Sequence, residues 1–372
     1  MPLSFLSSIR VLDLSQYIPG PYCAQVLADL GATVVKVEPP AGDPMRRFDP
    51  PDPDGLPPAY KLINAGKTVT LIDLKSDEGR ARFEKLLIRA DVLVESFRPG
   101  TLERLGFGRA RVEALNPRLV HVALSGYGQD GPYRLRAGHD LTYMALGGAL
   151  IANGPAVAPT MPFPPVSDHA SALQAVLAVC AALFGRERTG KGAYLDVSMM
   201  ESVLGWQGVS VTYGVRGADA ERGKTLLTGG AAFYNVYRTA DGRFAALGPI
   251  EEKFWRAFCT AVDRPDWIAR QDEPLPQTVL IGEVAALFAS KTLGDWQAIL
   301  EPADCCFEPL PTFAELPTHP HVAARGQVRA VPGANPPLVE TLLGLRVDGG
   351  PPPDRAPLRQ MAADAVLAEW GL

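Results

Sequence analysis

His139 stands directly behind a glycine at the head of a helix-forming stretch, RAGHDLTYMALGG, and Asp168 opens a strongly apolar one, DHASALQAVLAVCAALFG. An imidazole at a helix start sits among unpaired backbone N–H groups and can both take and give a proton, which suits proton transfer. A carboxyl backed by apolar side chains is pushed toward its protonated form, which suits an acid. On pattern alone both residues read first as helix caps or first-turn polar residues, with the cap of the second helix falling at Ser167 or Asp168. Glu251 and Glu252 open a further helix after GPI, where acidic residues complement the helix dipole without any other role.

The remaining histidines point elsewhere. His121 lies in the apolar strand LVHVAL and reads as a core or sheet histidine with its ring satisfied. His169 reads as a first-turn surface residue. His319 and His321 sit among prolines with no carboxylate or cysteine near them, so they read as loop residues rather than metal ligands. Phosphate-binding, serine-hydrolase, zinc-protease and CxxC motifs are absent, and the first strand-to-helix turn, LSQYIPGPYC, lacks the GxGxxG of dinucleotide enzymes. Five cysteines without metal or redox spacing read as reduced residues of an intracellular protein. A net charge of −5 without basic runs argues against nucleic acid, and no apolar run has the length of a membrane span. With no leader-like N-terminus, a cytoplasmic location is expected.

The elements that must position these groups alternate from the start. Strands are predicted at 9–14, 33–38, 68–74, 91–97, 119–125 and 193–197. Between them come helices at 20–30, 76–90 (capped by Ser76), 138–152 and 168–185, with another at 199–213. This pattern predicts an α/β fold with a Rossmann-like, doubly wound large domain. Beyond Gly229 the pattern changes: segments 233–238 and 244–247 flank Asp241-Gly242, a strong hairpin signal, and helices at 251–262, 279–290 and 293–300 follow. A smaller α+β domain is therefore expected at 231–325, after a large domain at 1–200 and a linker at 201–230. A second linker at 326–342 leads to a segment at 343–372 that returns to the large domain and holds a last helix at 361–369. Length fits two domains, and 36 glycines with 35 prolines imply many defined turns and a site built on loops.

Several stretches together resemble the family III CoA-transferase superfamily, and within it the racemases of 2-methylacyl-CoA thioesters. They are VLDLSQYIPGPYCAQVLADLGATVVKVEPPAGDPMR, NAGKTVTLIDLKSDEGR, ADVLVESFRPGTLERLGFG, LSGYGQDGPYRLRAGHDLTY, GRERTGKGAYLDVSMME and FYNVYRTADGRFAALGPIEEKFW, covering nearly the whole chain. KVEPPAGDP and NAGKTVTLIDLK resemble transferase members as much as racemases, whereas AGHDLTY, GPIEEKFW and DCCFEPLPTFAELPTHPHVAARG resemble racemases. His139 discriminates most sharply.

The resemblance implies that His139 and Asp168 are a paired acid and base and that Glu251 supports the histidine. It further implies CoA-thioester contacts at Ile72, Asp73, Leu74, Lys75, Ser96, Phe97, Arg98, Arg104 and Gly138, and at Leu141, Thr142 and Tyr143. The helix opening at His139 would offer the backbone N–H of Asp140 to an enolate oxygen. Such an enzyme needs no cofactor, CoA being part of its substrate, and forms an interlocked homodimer in which Glu251 completes the partner's site. The expected reaction is two-base 1,1-proton transfer between (2R)- and (2S)-2-methylacyl-CoA, in fatty acid metabolism. The alternative is CoA transfer between carboxylic acids with Asp168 as nucleophile, and a third reading is a non-catalytic acyl-CoA-binding paralogue. Two features depart from the racemase pattern. Pro39 stands where an arginine contacts the nucleotide, so that Arg46 or Arg47 substitutes or the contact is missing. A shorter, Pro-rich loop precedes Asp168. Met161, Met199 and Met200 read as core residues or as the lining of an adaptable acyl site.

Overall fold

The computed structural model describes residues 3–218, 221–351 and 354–372. Asp219 and Ala220 in the first long connection, and Pro352 and Pro353 in the second, lie outside the described residues. The chain forms two compact units: one of residues 1–147, 164–205 and 317–372, the other of 148–163 and 206–316.

The first unit is built on a parallel sheet of seven strands. Six come in order from its N-terminal part: β1 (Arg10–Asp13), β2 (Thr33–Glu38), β3 (Thr68–Leu71), β4 (Val92–Glu95), β5 (Val120–Ser125) and β6 (Ala193–Ser198). The sheet order is β3-β2-β1-β4-β5-β6, with the C-terminal strand Arg359–Gln360 added beside β3. This is the doubly wound order, in which the connections reverse direction between β1 and β4. One face is covered by the helices Pro19–Asp29 and Val166–Thr189, which bury Cys23, Leu27, Ala172, Ala175 and Val179 against Val11, Val92 and Val122. The other face is covered by Asp77–Arg89, Arg109–Leu115 and Ala363–Glu369, which bury Phe83, Leu86, Val112 and Val366 against Leu12, Val35 and Leu93. Arg355 fastens the returning C-terminal segment through two short bonds to the Asp29 carboxylate, of 2.6 and 2.7 Å.

Charge is buried under the loop after β1. Lys67 Nζ donates to Asp13 Oδ2 (3.0 Å), to the Asn64 side chain (3.0 Å) and to the Pro21 carbonyl (2.7 Å), and Lys36 Nζ donates to the Ser15 carbonyl (2.7 Å). Burial alone would raise the Asp13 carboxyl, but the two ammoniums outweigh it and hold it below its ordinary range. Burial draws Lys67 down to about 8 against the pull of Asp13. These bonds hold both ends of the segment 13–21.

Several expected elements are shorter or broken. The strand expected at 68–74 ends at Leu71, where Asp73 Oδ1 takes the Lys75 N–H (2.9 Å) and turns the chain. The helix expected at 138–152 spans only Asp140–Leu146, because Gly148 adopts a left-handed φ of +85°. The segment 199–213 is interrupted by a 3-10 turn at Gly205–Gln207.

The second unit holds the three-stranded antiparallel sheet β7 (Asn235–Arg238), β8 (Phe244–Leu247) and β9 (Phe307–Pro309), with the Asp241-Gly242 turn joining the first two. Its core packs Trp255, Phe258, Phe288 and Trp296 from three helices against Tyr237 and Leu247.

Candidate active site

The carboxyl ends of β1, β4 and β5 open onto a cavity of about 350 Å3, at the reversal point where open α/β sheets bind ligands. Gln16 and Tyr17 reach it from the loop after β1, and Ser96, Phe97 and Arg98 from the loop after β4. Gly138, His139, Asp140, Tyr143, Asp168 and Met199 complete that side. Ser96 Oγ ties the two loops by accepting the Gln16 N–H (3.0 Å).

His139 is the N-cap of the Asp140–Leu146 helix, with extended backbone angles. The Thr142 hydroxyl accepts the His139 N–H (3.0 Å) and donates to the His139 carbonyl (2.8 Å). Tyr143 steadies the same turn: its hydroxyl donates to the Gly138 carbonyl (2.6 Å), and its ring lies edge-on to Tyr127 at 5.1 Å. A Cβ at Gly126 or Gly138 would fall within 2.3 or 2.5 Å of a ring carbon of Tyr143, so both must be glycine for the ring to lie there. The imidazole stays exposed in the cavity and meets Tyr17 edge-on, with centroids 6.2 Å apart. Tyr17 has a φ of 62°, a left-handed conformation that is uncommon for a bulky residue and concentrates at functional sites.

Asp168 lies in the first turn of the Val166–Thr189 helix, two residues in from its start. The cap expected at Ser167 or Asp168 comes instead from another element. Asp140 Oδ1 accepts the N–H groups of Ser167 (2.7 Å) and Asp168 (3.1 Å) and the Ser167 hydroxyl (2.8 Å). Burial, and then the charge of Asp140, push the Asp168 carboxyl up to about 7. That places it where both protonation states are populated near neutral pH. The Asp140 N–H has no acceptor among the described residues. His169 is half-buried rather than on the surface, with Nδ1 2.6 Å from the Pro165 carbonyl oxygen and its ring edge-on to Tyr22.

The sequence-predicted contact residues divide. Ser96, Phe97, Arg98, Gly138 and Tyr143 share the cavity with His139 and Asp168. Ile72, Asp73, Leu74 and Lys75 line an adjoining hollow of about 100 Å3 that shares Gln16 and Phe97 with it. Arg104, Leu141 and Thr142 line neither: Arg104 donates to the Thr101 hydroxyl (2.8 Å), Leu141 is exposed, and Thr142 is occupied at the cap. Glu251 belongs to the second unit, where it is the exposed N-cap of the Glu252–Ala261 helix. Pro39 borders the smaller hollow; Arg46 is spent on Glu38 (2.7 Å) and on the Tyr60 ring, which leaves Arg47 exposed. Arg134 and Arg136, which the sequence reading did not single out, border the main cavity near Arg98 and make its rim cationic.

The model of CoA-transferase family III matches residues 6–358. The chain belongs to CoA-transferase family III. Relatives of this member include the alpha-methylacyl-CoA racemase of Homo sapiens, 37% identical over 333 residues, covering 86% of this chain and 81% of the relative. The alpha-methylacyl-CoA racemase of Mus musculus is 34% identical, covering 85% and 80%. The succinyl-CoA–D-citramalate CoA-transferase of Chloroflexus aurantiacus is 33% identical, covering 88% and 83%. Among solved structures, a CAIB/BAIF family protein from Brucella suis superposes with a TM-score of 0.85 at 25% identity over the whole of both chains. A hypothetical protein from Mycobacterium tuberculosis superposes with a TM-score of 0.83 at 28% identity, covering 98% of this chain and 100% of that one. Racemases and transferases are thus both among the relatives of this family III enzyme.

Proposed function

We propose that this family III enzyme interconverts (2R)- and (2S)-2-methylacyl-CoA thioesters by two-base proton transfer. The observation that carries the reading is that His139 and Asp168 line one cavity while the Asp168 carboxyl titrates near 7. Inverting a carbon alpha to a thioester requires a proton to leave one face and arrive on the other. Neutral His139 with protonated Asp168 serves one direction, and the converse pair the other. Polarisation by the unpaired Asp140 N–H would stabilise the enolate oxygen between the two transfers. Arg98, Arg134 and Arg136 at the rim suit the phosphates of CoA, and the hollow at Ile72–Lys75 suits another part of the same carrier. No cofactor is needed, since the thioester itself acidifies the alpha proton.

In this proposal Glu251 of a second copy orients the histidine ring, within an interlocked homodimer. The Val166–Thr189 helix supports association of two copies: Leu173, Leu177 and Phe184 recur along it and remain exposed.

Likeness to the Chloroflexus transferase supports a second reading, CoA transfer between carboxylic acids. There Asp168 would attack the thioester carbonyl, releasing the CoA thiolate and forming a mixed anhydride; the thiolate then attacks its aspartyl carbonyl, expelling the donor carboxylate and leaving an aspartyl-CoA thioester, from which an acceptor carboxylate takes CoA by the reverse steps and frees Asp168. Variants at the two positions test the two-base assignment. His139→Ala and Asp168→Ala should each abolish interconversion of the two epimers, even where one base still exchanges the alpha proton of a single epimer. Interconversion surviving in His139→Ala while lost in Asp168→Ala would overturn it.

A further inference from the structure

The parallel sheet carries a second cavity at its other end. It measures about 360 Å3 and lies over the starts of β5 and β6, beneath the Arg109–Leu115 helix. His121 here lies four positions along β5 from Ser125 at the candidate active site, roughly 13 Å along the strand. His121 was expected to be a satisfied sheet histidine, and it is not. It is only 5% exposed, it lines this cavity, and neither of its ring nitrogens has a partner. A buried donor and acceptor left unpaired destabilise a fold, so a group so placed calls for an occupant.

The surroundings define the occupant's chemistry. Tyr194, the register partner of His121 on β6, meets the imidazole edge-on at 5.0 Å, and the Arg109 guanidinium lies over the Tyr194 ring at 4.5 Å. Burial and the nearby charge of Arg109 pull His121 down to about 4, so at neutral pH it is an uncharged ring with one N–H to donate. Lys191 borders the same cavity, and neither cation is ion-paired among the described residues. Glu113 is the acidic side chain of the lining, which leaves it one positive charge in excess. Val112 and Leu119 supply an apolar wall.

We propose that this cavity binds a short-chain monocarboxylate. Its carboxylate would take the guanidinium fork of Arg109 and the His121 N–H, and its alkyl chain would lie against Val112 and Leu119. No step of the reaction proposed above involves these residues, so the inference stands apart from it.

The test is a titration of the full-length protein, labelled with 13C and 15N at histidine, with sodium butyrate. Sodium chloride at matched ionic strength and inorganic phosphate are run in parallel, and the His121 ring signals are assigned through His121→Asn. The proposal expects those signals to shift saturably with butyrate and not with chloride, and Arg109→Ala and Lys191→Ala to weaken the response, the former by about tenfold or more. Both altered side chains are exposed, so thermal unfolding should show these variants folded. Signals that move no further with butyrate than with chloride would mean that the cavity holds water only. Tighter binding of phosphate than of butyrate, or an undiminished response in folded Arg109→Ala, would equally overturn the proposal.

Discussion

The Asp140 carboxylate caps the helix that carries Asp168, accepting the Asp168 N–H at 3.1 Å and the Ser167 N–H at 2.7 Å. The same anion helps to hold the Asp168 carboxyl near 7. One side chain therefore joins the two helix starts that present His139 and Asp168, and also tunes one of the two groups.

Asp140→Asn keeps an oxygen for the cap but removes the charge, so the Asp168 pKa should fall toward its ordinary value of 3.8. In the direction in which Asp168 is the base, the acid limb of the pH profile should move down with it. Asp140→Ala should in addition cost about 1 kcal/mol of stability through loss of the cap. An unmoved acid limb in Asp140→Asn would show that burial alone raises Asp168.

Ionised Asp168 works against the fold. Its folded pKa of about 7 lies above the ordinary 3.8, so between those values the folded chain binds the extra proton, and stability falls as pH rises through that window. The difference amounts to on the order of 2–4 kcal/mol above about pH 8. Asp168→Asn should therefore have a higher urea midpoint than the unmodified protein at high pH, with the gap closing below about pH 4. Equal midpoints at high pH would contradict this.

Tyr17 carries strain at the site. Tyr17→Gly relieves the left-handed φ of 62° and should leave stability equal or raised by about 0.5–1 kcal/mol, while kcat falls because the edge contact with His139 is lost. A variant that is both less stable and fully active would refute the positioning role of the ring.

Arg98 lines the main cavity and Arg104 does not. Arg98→Ala should raise KM for an acyl-CoA by about tenfold with little change in kcat, and Arg104→Ala should have a smaller effect. Equal effects would return Arg104 to the set of CoA contacts.

Much of this was legible in the chain because it rests on local pattern. Alternating apolar segments predict the parallel sheet, and Ser76, a cap by its place before Asp77 and Glu78, accepts the Gly79 N–H (3.0 Å). His139 could be placed at a helix start from the glycine before it and the apolar spacing after it. What escaped depends on partners distant in sequence. The cap on the Asp168 helix comes from 28 residues upstream, so a local reading assigned it to Ser167 or Asp168. The left-handed backbone of Tyr17 sits in a loop whose ends are held by buried bonds to Lys36 and Lys67, distant in sequence, and no propensity announces it. The unpartnered ring of His121 escapes as well, because a histidine in an apolar strand looks the same whether its ring is satisfied or not.

The central claim is that His139 and Asp168 exchange the alpha proton between the two faces of the substrate. The most direct test is to incubate a single epimer of a 2-methylacyl-CoA with the protein in deuterated water, with no acid acceptor present, and to follow alpha-deuterium by mass and epimer ratio by chiral separation. The account predicts that deuterium enters the alpha position as the epimers approach equilibrium. An epimer that stays unlabelled and uninverted, while CoA moves to a carboxylic acid once one is added, would contradict it and establish transfer instead.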